Sequence, residues 1–202
     1  MSFLERRRFF TDGALRRKHM KQWQSEQKRY PARLLAIENP EAARLLQYLL
    51  ESCGYRVACD PAELAAADFL LVPPGCMPNR TEGLEYMLLE NSGRMTESIS
   101  CPFRYHAVEY ETALPVVPGA QRVSYSVHSP EADVFARNIR PNGYGVVFEL
   151  ESGGIVGRVA LDEEQGIRPA LVAALAAIRC GIPFARVTDA LNEIPQLSRN
   201  LG

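Results

Sequence analysis

No stretch of this sequence is apolar for the roughly 20 residues that a membrane helix takes, so we expect no membrane span. Its opening residues, MSFLERRRFF, lack the apolar core of a secretory signal. Cysteine is sparse: Cys53, Cys59, Cys76, Cys101 and Cys180 are odd in number, scattered, and form no CxxC pair. That pattern fits reduced thiols better than a disulfide framework. Together these absences lead us to expect a cytoplasmic protein. Internal repeats and low-complexity segments are also lacking, which argues against a solenoid or a disordered linker.

What is present suits one hydrophobic core with an arm. The chain has 202 residues, 47% of them hydrophobic. Its net charge of -1 hides an asymmetry, because residues 1–33 hold ten Lys/Arg and three Asp/Glu. We therefore read residues 1–30 as a basic arm and 31–202 as a single, acidic domain. Leu15, His19 and Trp23 fall at helical spacing within the arm. A solvated arm that packs Trp23 onto the body accounts for this. Only clustered charge speaks for a nucleic-acid or membrane-surface contact, so nucleic acid is not the expected partner.

Residues 32–37 (ARLLAI) form a short apolar run bounded by turn residues, as a buried strand does. Asn39 suits a helix N-cap, Pro40 the first helical position and Glu41 the positive helix end. The helix they open should bury Ala42, Leu45, Leu46, Leu49 and Leu50 and stop at Gly54. Residues 55–58 return as a strand, 61–66 as a short helix and 68–72 as a third strand. This β-α-β-α-β order predicts a parallel sheet with right-handed crossovers. Residues 81–91 read as a helix with Leu84, Met87 and Leu88 inward and Gly93 as its cap.

From Arg122 onward the period is two. Val123, Tyr125 and Val127 alternate with serines, and strands are expected over 134–139, 145–150 and 155–161. Pro141-Asn142-Gly143 and Ser152-Gly153-Gly154 between them favour antiparallel connections. Two helices close the chain over 166–194, GIRPALVAALAAIRCGIPFARVTDALNEI. Leu171, Leu175 and Ile178 stripe the first, with small alanines between. Gly181 suits a left-handed cap, and Pro183 opens the second helix. Phe184, Val187, Leu191 and Ile194 line that helix, and Pro195 is expected to end it.

This ordered set resembles the central, ATP-binding domain of the Mur ligase family. RLLAIENPEAARLLQYLLESCGYRV is similar to the opening strand–loop–helix unit, and RVSYSVHSPEADVFARNIRPNGYGVVFEL to the β segment before the closing helices. The resemblance implies a Rossmann-like α/β fold: a parallel sheet with helices, an antiparallel β segment and a C-terminal helix pair. It also implies a Gly-rich phosphate loop with Gly-Lys-Thr at the helix start. Here Ile37 is followed by Glu38, Asn39, Pro40, Glu41 and Ala42, with no Gly, Lys or hydroxyl. Glu38 and Glu41 place negative charge where phosphate would sit. The family's polar His-Asn pair and further Asn before the closing helix match Pro169, Ala170 and Ala173. The flanking domains that bind the UDP-sugar and complete the ATP site are not among these residues. We therefore expect no nucleotide cofactor and no metal.

A response-regulator fold also opens β-α-β-α-β, but its phosphoacceptor Asp should close the third strand. Val72-Pro73 stands there, and Asp68 opens the strand instead.

The densest group of reactive side chains is Cys101 to Glu111. His106 with Glu109 or Glu111 is the candidate catalytic pair, as a base and its partner, or a partial metal site. No second His or Cys cluster stands beside it in sequence. Arg80, Arg94, Arg104 and Arg122 are candidates for an anion pocket. The first expectation is thus a non-catalytic Mur-ligase-like protein that acts by binding, connected with peptidoglycan precursor synthesis. A cell-wall enzyme or a small anionic ligand would be its partner. The alternatives are an enzyme of another class using His106, Glu109 and Glu111, and a protein that docks an anionic partner through the basic arm.

Overall fold

The computed structural model describes residues 31–78, 84–91, 102–143 and 145–200, and the side chains of these up to residue 194. The basic arm, Gly93, Cys101, Arg80 and Arg94 lie outside them. The apolar run 32–37 is strand β1 (Ala32–Ile37), buried along almost its whole length. Asn39 then opens helix α1 (Pro40–Ser52), its side-chain oxygen accepting the N–H groups of Glu41 and Ala42 at 3.0 and 3.1 Å. Replacing Asn39 with Ala should cost about 1 kcal/mol, the usual loss for a cap of this kind, measurable by urea unfolding. Unchanged stability would show that the cap contributes nothing. Gly54 ends the helix at φ 87°, a conformation that favours glycine.

Strand β2 is short (Val57–Ala58), a 3₁₀ helix follows (Pro61–Ala66), and β3 (Phe69–Val72) returns beside β1. Within 81–91, the described residues 84–91 do not form the helix that the spacing suggests. They hold strand β4 (Leu84–Glu90), parallel to β1. Tyr86, Met87, Leu88 and Leu89 are consecutive and all buried. A surface helix buries only one stripe, whereas an interior parallel strand is covered on both faces. Strands β5 (Tyr105–Glu109) and β6 (Gln121–Ser126) extend the parallel part, and β7 (Val134–Asn142) runs parallel to β6. The expected turns then reverse the chain into β8 (Gly145–Ser152) and β9 (Ile155–Leu161), both antiparallel. Asn138, at φ 53°, sits where the β7–β8 register slips, a bulge that asparagine tolerates.

One mixed sheet results, in the order β2-β3-β1-β4-β5-β6-β7-β8-β9. Helices α2 (Ile167–Arg179) and α3 (Phe184–Asn200) pack with α1 on one face. Gly181 takes φ 90° between them. Every residue of α2 from Pro169 to Ala177 is buried, so its alanines let it sit centrally in the core. Val187 and Leu191 of α3 are fully buried. Helix α3 runs past Pro195 to Asn200 rather than ending there. Proline removes one N–H, and the helical bonds on either side continue the element. A second cluster, with Leu34, Ala36, Leu89, Phe103 and Val117, fills the opposite face of the sheet. At the outer edge, Asn192 accepts from Ala160 N–H and donates to Arg158 C=O, both at 2.9 Å, and so covers open backbone of β9.

Candidate functional site

In an open parallel sheet, ligands bind beyond the carboxyl ends of the strands, where the strand order reverses direction. Here the chain leaves β1 toward β3 and β2, then returns to β4 on the other side of β1. The switch point therefore lies at the ends of β1 and β4. Glu38 and Asn39 follow β1, Glu90 ends β4, Glu109 ends β5, Tyr125 lies near the end of β6, and Arg168 stands at the start of α2.

Glu90 is the centre of this group and is 5% exposed. Its Oε2 accepts the N–H groups of Glu38 and Asn39 at 3.0 and 3.3 Å. Asn39 Oδ1 takes those of Glu41 and Ala42, and Pro40 has none. The amides of the β1–α1 turn are thus committed to oxygens of the protein itself. A helix N-terminus attracts anions through such amides, and here an internal carboxylate holds the place. Burial pushes the Glu90 carboxyl above its ordinary range and Glu38 adds to this, while the two backbone donors pull it back. Burial and the charges of Glu90 and Glu109 likewise raise the Tyr125 hydroxyl, with Arg168 opposing. Arg168 Nη2 lies 2.9 Å from Glu109 Oε1. The crevice is therefore acidic, with Arg168 its counter-charge. Pro169, Ala170 and Ala173 are buried in α2 and offer no side-chain polar group.

His106, Glu109 and Glu111 are not brought together. Residues 106 and 109 of one strand point to opposite faces of the sheet. His106 is completely buried among the residues facing away from the helices. Its Nδ1 accepts from Val117 N–H at 3.2 Å, which leaves Nε2 to carry the proton toward Asn91 Oδ1 at 2.9 Å. Burial, then the nearby Arg122 charge, lower its basicity. Both ring nitrogens are engaged in holding the fold. Glu109 faces Arg168, while Glu111 lies beyond the strand and accepts from the Ser126 hydroxyl. That hydroxyl also accepts from the N–H groups of His128 and Ser129.

Arg122 donates to the carbonyls of Tyr110 and Thr112, and Arg104 lies over the Tyr105 ring, so these two brace their own neighbourhood. Cys53, Cys59, Cys76 and Cys180 are free thiols. Among the described residues no three His, Cys, Asp or Glu side chains are arranged to hold a metal ion, and no helix is long and apolar enough to cross a membrane. Glu90, Asn91, Tyr125 and Arg168 are absent from the sequence candidates. The available signal for Glu90 was the apolar run 86–89 ending in a carboxylate, which reads as a buried strand with its end at a ligand edge.

No family model and no curated protein matches the sequence. Solved structures do match the fold. A UDP-N-acetylmuramoyl-L-alanyl-D-glutamate–2,6-diaminopimelate ligase superposes with a TM-score of 0.64 at 15% identity, over 81% of this chain and 46% of that one. The UDP-N-acetylmuramoylalanyl-D-glutamyl-2,6-diaminopimelate–D-alanyl-D-alanyl ligase of Acinetobacter baumannii gives 0.60 at 12%, over 84% and 47%. A pseudomurein peptide ligase type C of Methanothermus fervidus gives 0.57 at 14%, over 86% and 51%. The chain spans about half the length of these structures. Its fold is that of a Mur ligase central domain, with the turn that opens α1 closed by the protein's own oxygens.

Proposed function

We propose that this protein is a non-catalytic relative of the Mur ligase central domain that acts by binding, in connection with cell-wall precursor synthesis. The observation that carries this reading is the closed β1–α1 turn. Its amides are held by Glu90 and Asn39, and Glu38 and Glu41 add charge that repels phosphate. The nonpolar residues Pro169, Ala170 and Ala173 remove a further set of contacts that the family resemblance implies. The partner is a cell-wall enzyme or a small anionic ligand bound away from the acidic crevice. Calorimetry with ATP and magnesium should give no heat of binding. Tight, magnesium-dependent ATP binding that is lost on substitution within 38–41 would overturn the reading. A thermal-shift panel of UDP-sugar peptides tests the small-ligand form of the proposal, and co-purification with a purified cell-wall ligase tests the other.

A further inference from the structure

We draw no further inference here: the strongest candidate, the edge of β9 beside the β8–β9 turn, where Ile155 and Val156 are exposed, carries nothing, because Asn192 of α3 already takes the backbone groups of Arg158 and Ala160 and nothing in the structure shows what covers the rest.

Discussion

Replacing His106 with leucine is expected to lower the unfolding free energy by about 3 kcal/mol. The substitution keeps an apolar body of similar bulk but removes the acceptor for Val117 N–H and the donor to Asn91 Oδ1. Both partners are nearly sealed from water, with Val117 2% and Asn91 3% exposed. A buried polar group left without a partner costs about 1–3 kcal/mol. The same geometry sets a pH dependence. The folded state holds the His106 pKa below its ordinary value of 6.5, so the unfolded chain binds the proton more readily. Its contribution is complete above pH 6.5 and is lost as pH falls below it. Urea unfolding of wild type and His106→Leu across this range checks both points. Wild type should lose stability with acid in this window, and the variant should lack that component of the slope. A variant as stable as wild type would show that the His106 hydrogen bonds contribute nothing to the fold.

Glu90 should separate two substitutions by about 3 kcal/mol. Glu90→Gln is expected to stabilise by about 1 kcal/mol at neutral pH, because the amide oxygen still accepts from Glu38 and Asn39 while the buried charge is gone. Glu90→Ala should destabilise by about 2 kcal/mol, since it leaves a void and uncovers the Asn39 amide. The sign with pH is opposite to that of His106. Folding raises the Glu90 pKa above 4.5, so the folded state keeps the proton longer than the unfolded chain. Stability from this group is present below pH 4.5 and is lost as pH rises through the folded value. The advantage of Glu90→Gln over wild type should therefore grow as pH rises from the acid side. For a domain of this size, 1 kcal/mol moves the melting temperature by about 2–4 °C. If Glu90→Gln melts lower than wild type at neutral pH, the ionised carboxylate stabilises the turn and the reading of a costly buried charge fails.

Glu90 also illustrates why this crevice escaped the sequence. The apolar residues of 84–91 fit a helical face at Leu84, Met87 and Leu88, and only the added burial of Tyr86 and Leu89 reveals a strand. Helical and strand periods coincide over such short runs, so the choice falls to what packs on either side. With β4 read as a helix, the switch point had no second strand and Glu90 had no reason to meet Asn39. His106 shows the reverse case. Its proximity to Glu109 and Glu111 in sequence suggested a shared site, but strand alternation sends 106 and 109 to opposite faces. Chain distance predicted contact where pleating forbids it.

Local chemistry was legible in the sequence wherever a single residue governs the backbone. Asn39, Pro40 and Gly54 bound α1, Gly181 and Pro183 separate α2 from α3, and Gly153-Gly154 turns β8 into β9, because capping and positive φ depend on near neighbours alone. The order of these elements also carried the resemblance that the superpositions bear out. Tertiary structure alone decided the rest. It made β4 a strand inserted beside β1, made β6 parallel to its neighbours, and carried α3 past Pro195. It also brought Glu90 onto the amides of Glu38 and Asn39, some fifty residues away in the chain. Those outcomes depend on burial and on hydrogen bonds between distant segments, which a residue's own neighbours do not specify.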